Sequence, residues 1–331
     1  MKTSDICLVT GAAGFMGSHV VEELVRTGAR VIATSRPRRD TSFFDALGVR
    51  YIPADLTRPD TLIPLFAEKV ERVFHLGAVC NFSTPYAKLH PTNVAGVDCL
   101  TDLARQHAVG CFVHVTSTSV YGYYQGTPFT EESPRSPMDD YGRSKRDGED
   151  IVFRKMQLGL PAIVVRPCTV YGPRCNDGAG KVFSRPGAIK AIPGSGNQKL
   201  SNIRAEDVAA AVVYLSERED ARGRVYNLAD DSHPTVGEAL RTAALTFGTP
   251  VPSLHLPLWL VRFVARLEGL VCRFRNRIPE LEYDAARYLA ADYIVDNSRL
   301  KQTGFRFRYP DFAASMEQLG AAFRSDRPSK P

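Results

Sequence analysis

The sequence lacks the marks of several protein classes. No stretch of about 20 uninterrupted apolar residues occurs, so a membrane-spanning helix is not expected. The amino end has no charged leader followed by an apolar run and a cleavage site, and a strand pattern begins by Ile6. A cytoplasmic protein, in contact with a membrane surface at most, is the expectation. Its seven cysteines (Cys7, Cys80, Cys99, Cys111, Cys168, Cys175 and Cys272) form an odd set without a Cys-x-x-Cys pair or a His/Cys cluster. Neither a disulfide framework nor a bound metal is expected, and the thiols read as reduced. Internal repeats and low-complexity linkers are missing too. The formal charge of +6, from 42 basic and 36 acidic residues, is spread along the chain instead of gathered in a tail, which does not suggest nucleic acid as a partner.

What is present reads as one large α/β unit. The chain has 331 residues, of which 44% are apolar, enough for a large core or two abutting ones. Ile6 to Thr10 is a short apolar run that meets Gly11-Ala12-Ala13-Gly14-Phe15-Met16-Gly17, after which Val20, Val21, Leu24 and Val25 recur at helical spacing. Strand, glycine turn and helix in that order suit a dinucleotide, because the turn lets the backbone approach a pyrophosphate whose charge the helix amino end favours. A second strand, Arg30 to Thr34, runs into Ser35-Arg36-Pro37-Arg38-Arg39, where a ribose-binding acid would be expected. Arg36, backed by Arg38 or Arg39, suits a 2′-phosphate, so NADP(H) is preferred as cofactor, with NAD(H) as the alternative. Further strands are expected at 49–52, 73–76, 111–115, 162–166 and 224–228, and their alternation with helical stretches predicts a parallel sheet.

The helix predicted from Asn93 to Gln106 leads into strand 111–115, whose exit carries the hydroxyl cluster Thr116-Ser117-Thr118-Ser119. Ligands of open parallel sheets gather at that end of the strands. His114, inside the strand, reads as a packed residue. Tyr141 and Lys145 stand four apart and share a helix face on a segment running to about Leu158. A fixed cation beside a phenol favours phenolate, so this spacing proposes proton exchange with a substrate oxygen. Residues 176–197 read as a loop covering a ligand, 206–215 and 235–247 as helices. The segment 257–275 mixes Leu, Val, Phe and Trp259 with arginines, and has two readings: a lid or core helix whose arginines snorkel, or an amphipathic helix lying on a membrane surface or guiding a greasy substrate.

These motifs together resemble the extended short-chain dehydrogenase/reductases, the NAD-dependent epimerase/dehydratase group, over nearly the whole chain. Thr10 to Gly17 is similar to that family's cofactor turn, Asp55-Leu56 to its adenine-contacting pair, His75-Leu76-Gly77-Ala78 to its cofactor-flanking motif and Asn93 to its helix asparagine. Tyr141-Gly142-Arg143-Ser144-Lys145 resembles the catalytic Tyr-x-x-x-Lys, and Arg166 to Pro173 the strand-end signature beside the nicotinamide. Val120-Tyr121-Gly122 makes Ser117 the matching catalytic hydroxyl. The resemblance implies a Rossmann-type doubly wound parallel sheet (residues 1–172 with 205–230) and a smaller, mostly helical substrate-binding region interleaved at its carboxy-terminal side (173–204 with 231–331). It implies cofactor contacts from Gly11, Ala13, Gly14, Phe15, Met16, Gly17, Arg36, Asp55, Leu56, Leu76, Gly77, Ala78, Asn93, Thr116, Tyr141, Lys145, Pro167, Thr169 and Val170. Substrate contacts fall to Ser117, Thr118, Val79, Cys80, Arg174 and Trp259.

In that family's chemistry Tyr141 would be the acid or base, Ser117 would bond the reacting oxygen, and Lys145 would bind ribose and bias Tyr141 toward phenolate. Sugar 4,6-dehydratases carry an Asp-Glu pair where this chain has Thr118 and Ser119, which argues strongly against that branch. The apolar 257–271 stretch resembles the 3β-hydroxysteroid dehydrogenase-like branch and implies an alcohol/ketone oxidoreductase on a sterol-, steroid- or isoprenoid-like substrate. The alternatives are a nucleotide-sugar 4-epimerase, with Arg174, Lys181, Arg185 or Lys190 gripping a diphosphate, and, more remotely, a non-catalytic NADP(H)-binding module. The family's habit implies a homodimer.

Overall fold

The computed structural model describes residues 5–38, 40–122, 128–176, 179–184, 191–275, 279 and 283–325. Its first half runs β1 (Ile6–Thr10), α1 (Phe15–Arg26), β2 (Arg30–Thr34), α2 (Ser42–Ala46), β3 (Arg50–Tyr51), β4 (Val70–His75), α3 (Tyr86–His90), α4 (Gly96–Gln106), β5 (Cys111–Val115) and α5 (Asp140–Gln157). The second half runs β6 (Ala162–Pro167), β7 (Thr169–Tyr171), β8 (Ala191–Pro193), β9 (Asn202–Arg204), α6 (Ala205–Ser216), β10 (Val225–Leu228), α7 (Val236–Thr246), β11 (Leu254–Leu256), α8 (Leu258–Phe274), α9 (Tyr283–Arg287), α10 (Ser298–Gln302) and α11 (Phe312–Ser325).

Seven strands form one sheet in the order β10-β6-β5-β4-β1-β2-β3, and every neighbouring pair is parallel. This is the expected doubly wound α/β architecture of Rossmann type. Alternate residues of each strand serve opposite faces, as the pleat requires. Cys7, Val9, Val113, Val115, Ile163 and Val165 pack with Val20, Leu24, Val208 and Val212 of α1 and α6. Leu8, Val73, Phe112 and Val164 pack with Val97, Leu100, Ile151 and Val152 of α4 and α5. Strand order reverses between β1 and β4, which opens a crevice at their carboxyl ends.

A third apolar cluster lies beyond the sheet. Two small parallel pairs, β7 with β9 and β11 with β8, frame it, and Tyr171, Phe183, Ile192, Leu240, Phe312 and Met316 fill it. Thr235 and Glu238 form a capping box at the start of α7. Among the described residues no helix is long and apolar enough to cross a membrane, and no two of the seven cysteines are bonded to one another.

Two expectations change in form. The helix expected from Asn93 begins earlier, as α3, and passes through a π turn at Pro91–Ala95 before α4. Pro91 has no N–H to give to a regular helical ladder, and the wider turn accommodates it. The expected loop at 176–197 is partly built: a 3-10 turn occupies Ala179–Phe183, and β8 pairs with β11, which lies far along the chain. Spacing within the segment holds no trace of such a long-range pairing.

Candidate active site

The glycine turn occupies the expected place between β1 and α1. Gly11 has φ +67°, and a Cβ on it would stand 2.7 Å from the Gly77 backbone nitrogen; one on Gly17 would stand 2.1 Å from the Gly11 oxygen. Any larger residue would push apart the strand, the turn and the β4 exit. Gly14 caps α1 without a side-chain hydrogen bond, so the helix start is open to an anionic group. Two hydroxyls at strand exits, on Thr34 and Thr116, and that of Ser119 in the turn beyond β5 are buried without a hydrogen-bond partner among the described residues. A cradle that no Cβ can enter, an open helix start and unpaired hydroxyls at the exits of β2 and β5 fit a dinucleotide lying across the crevice.

The catalytic candidates converge on the next wall. Ser117 leaves β5 in extended conformation and caps the short 3-10 turn Thr118–Tyr121, its oxygen accepting from the Ser119 N–H at 3.1 Å. Tyr141 and Lys145 are both buried on α5. The Tyr141 hydroxyl has Cys80 and Ser117 as hydrogen-bonding neighbours, and its ring meets Phe82 edge-on at 5.1 Å. Lys145 donates to the Val115 carbonyl at 3.0 Å.

The expected lowering of the phenol by Lys145 is not what the protein alone produces. Burial, reinforced by Cys80, raises Tyr141 well above the ordinary phenol, and Ser117 is the opposing influence. Burial also pushes the Lys145 ammonium down to about 8. Desolvation outweighs the pairing because both groups leave water while Lys145 directs its ammonium at a carbonyl. Tyr141 therefore stands ready as a proton donor.

Polar residues under this wall hold it in place. Asp139 caps α5 by accepting from the Gly142 N–H at 2.7 Å and from the Tyr288 hydroxyl at 2.8 Å. Asn93, placed by the π turn, donates to the Val79 carbonyl and to Ser144 and accepts from the Val79 N–H at 2.8 Å. It thus clips the β4 exit, including Val79 and Cys80, to α5. Arg166 and Glu149 form a buried two-pronged pair at 2.9 and 2.7 Å, and Arg166 also donates to the Tyr121 hydroxyl at 2.8 Å. His114 is buried and stacks on His75 with ring centroids 5.3 Å apart. Burial holds both imidazoles neutral, His75 down to about 3.

The remaining candidates are less uniform in placement. Leu56 presses on Gly77, just past β4, and on Gly96, while Asp55 accepts from the Thr57 N–H and hydroxyl and follows Ala54, whose N–H is bonded to the Ser35 carbonyl beyond β2. Pro167 ends β6, while Thr169 and Val170 lie half-buried on β7. Arg36 and Arg38 are exposed after β2; Arg39, Arg185 and Lys190 lie outside the described residues. Arg174, offered as a substrate contact and diphosphate grip, is committed elsewhere: it donates to Glu22 at 2.9 and 2.6 Å and to Ser18 at 3.1 Å, stapling the β7 exit to α1. Lys181 sits in the 3-10 turn Ala179–Phe183. Trp259 is 69% exposed on α8 and is not gathered with Tyr141.

Sequence reasoning missed Phe82, Asp139, Glu149 and Tyr288. An aspartate just before a helical stretch is a capping signal that would have found Asp139. No local signal marks Tyr288, which comes from far along the chain.

The model of the NAD dependent epimerase/dehydratase family matches residues 7–229. Sterol demethylase protein B of Methylococcus capsulatus is 29% identical over 332 residues, covering 95% of this chain and 98% of that protein. The 4-hydroxy-2-methyl-3-oxo-4-farnesyl-3,4-dihydroquinoline-1-oxide ketoreductase of Stigmatella aurantiaca is 25% identical over 342 residues, covering 97% and 98%. Among solved structures, the UDP-glucose 4-epimerase of Thermus thermophilus in complex with NAD superposes with a TM-score of 0.77 at 22% identity, covering 97% of this chain and 100% of that one. At that identity the likeness is one of fold.

Proposed function

The chain belongs to the NAD-dependent epimerase/dehydratase family, the extended short-chain dehydrogenase/reductases, and is an NAD(P)-dependent enzyme; from that premise we propose that it interconverts a hydrophobic alcohol and its ketone. The observation that carries this reading is the buried Tyr141 phenol with Ser117 and Cys80 as its hydrogen-bonding neighbours and Phe82 packed across its ring. Phe82 in turn meets Tyr288, with ring centroids 5.7 Å apart, so the acid is bordered by aromatic carbon suited to a fused-ring or isoprenoid skeleton.

When bound, the nicotinamide supplies hydride to the carbonyl carbon or accepts it from the alcohol. Gly11 to Gly17, Asp55, Leu56 and Asn93 with its clipped strand exit would hold the dinucleotide, and Lys145 would bind its ribose hydroxyls. In reduction, Tyr141 gives its proton to the carbonyl oxygen, and Ser117 donates a hydrogen bond to the same oxygen as charge develops. In oxidation Tyr141, as phenolate, takes the hydroxyl proton. Cofactor binding falls to residues 1–172 with 205–230, and substrate selection to 173–204 with 231–331.

Two relatives support the lipophilic substrate by what their names say of them, one a sterol demethylase protein and the other a ketoreductase of a farnesylated quinoline oxide. The nucleotide-sugar epimerase reading loses one of its diphosphate candidates to the Arg174–Glu22 pair. Arg36 supports a preference for NADP(H), because no carboxylate follows β2 until Asp40. Arg36→Ala should weaken NADPH binding roughly tenfold and leave NADH binding nearly unchanged.

The test is to follow NADPH absorbance with 3-keto steroids and prenylated ketones, beside an assay for conversion of UDP-glucose to UDP-galactose. Turnover of a hydrophobic ketone with freely exchanging cofactor supports the proposal. Permanently retained NAD, sugar epimerisation and inert ketones would replace it with the epimerase reading.

A further inference from the structure

Helix α8 turns the wrong side outward for a core helix. Trp259, Phe263, Leu267 and Leu270 follow one another at steps of four, four and three, and so form one stripe; they are 69%, 53%, 47% and 51% exposed. Val264 and Val271 widen the stripe, and Leu254, on β11 just before the helix, is exposed as well. The opposite face holds Val261 and Ala265, which are buried. At 100° per residue the exposed apolar residues cover an arc of about 140°. Arg262 and Arg266 fall on one edge of that arc and Arg275 on the other. Arg266 leans over the Tyr283 ring, 4.8 Å from its centroid, and so is held near that edge. Residues 251–275 contain four arginines and a single acid, Glu268, which lies on the half-buried side.

We propose that this face seats the protein on an anionic lipid bilayer. An apolar stripe of this size is unusual on a surface left to water. The arginine edges identify its occupant: Arg266 and Arg275 are exposed at opposite margins of the stripe, where guanidinium groups would meet lipid phosphates and bind them in pairs of hydrogen bonds. A second copy seated on the same face fits less well, because a two-fold contact would set arginine edge against arginine edge. The inference concerns where the protein sits and does not depend on the substrate.

Packing joins the seat to the active-site wall. Helix α8 packs on α9, and just beyond α9 the Tyr288 hydroxyl donates to Asp139, the cap of the Tyr141 helix. Arg287 reinforces the link by donating to the Met138 carbonyl at 3.2 Å. The face proposed for the bilayer is thus linked through Tyr288 to the aromatic rim of Tyr141.

Trp259 is the sole tryptophan of the chain, so its emission reports on the stripe alone. The full-length protein is mixed with phosphatidylcholine vesicles, with and without phosphatidylglycerol, and both emission and flotation are measured. The expected result is a blue shift and flotation with the anionic vesicles that weaken in high salt. Phe263→Glu with Leu267→Glu should abolish flotation while NADPH binding and the far-ultraviolet spectrum stay unchanged. Arg262→Ala and Arg275→Ala should each lower affinity for anionic vesicles roughly fivefold. Equal binding to both vesicle types overturns the role given to the arginines. Absence of any shift or flotation overturns the proposal, and a dimer that Phe263→Glu dissociates, without vesicle binding, would assign the face to a second copy.

Discussion

Helices α5 and α8 invert the usual relation between composition and burial. Helix α5 reads DYGRSKRDGEDIVFRKMQ, rich in charge, yet it buries Tyr141, Ser144, Lys145 and Glu149. Helix α8 reads LWLVRFVARLEGLVCRF and leaves its tryptophan and a row of leucine, valine and phenylalanine exposed. The difference lies in partners. Each buried polar group of α5 meets a complement: Ser144 meets Asn93, Lys145 the Val115 carbonyl and Glu149 the Arg166 guanidinium. The outer face of α8 meets none among the described residues, and hydrophobicity alone does not choose which face turns inward.

That contrast can be broken most severely at Glu149. Glu149→Ala leaves the Arg166 charge buried without its carboxylate, which should cost about 3–5 kcal/mol of stability, read from a urea melt. A loss near zero would mean that the pair is not needed to hold β6 against α5. A milder test uses Lys145, whose folded pKa of about 8 lies below its ordinary 10.5. Below about pH 8 both folded and unfolded chains carry the ammonium, and burying it penalises the fold in full. Between about 8 and 10.5 the unfolded chain binds more protons than the folded one, so stability contributed by this group rises with pH. Lys145→Met should therefore be most favourable, relative to wild type, near neutral pH, with its advantage shrinking toward pH 10. An advantage that grows with pH would contradict the burial of the charge. The smallest effect belongs to α8: Leu267→Ser should change stability by less than about 0.5 kcal/mol, against several for Ile151→Ala on α5.

How far the sequence carries depends on the same distinction. The glycine turn and the Tyr141–Lys145 face were legible as short local patterns, the parallel sheet from the alternation of strands and helices, and Ser117 from the family motif around Val120-Tyr121-Gly122. Glu149 was not, since nothing near it in the chain announces Arg166 as its partner. Tyr288 and Asp139 stand far apart in sequence and meet only through the fold. Arg174 looked available because its neighbours are turn formers, and its engagement by Glu22 of α1 follows from how the β7 exit folds back. The helix expected from Asn93 has its start in α3, and the chain passes Pro91 in a π turn from which Asn93 reaches Val79. The mixed composition of 257–275 left a core or lid helix and a membrane-surface helix both open, and the outward apolar stripe of α8 is visible only once the helix packs on α9.

In the proposed ketone–alcohol interconversion Tyr141, whose phenol burial holds above its ordinary range, carries the proton beside Ser117. Tyr141→Phe tests this role most directly, because it removes one oxygen and keeps the ring against Phe82. Steady-state NADPH consumption with a hydrophobic ketone should fall by roughly 100- to 10,000-fold in kcat, while NADPH affinity, measured separately by fluorescence, stays within about twofold of wild type. A variant that reduces the ketone at an undiminished rate would contradict the assignment.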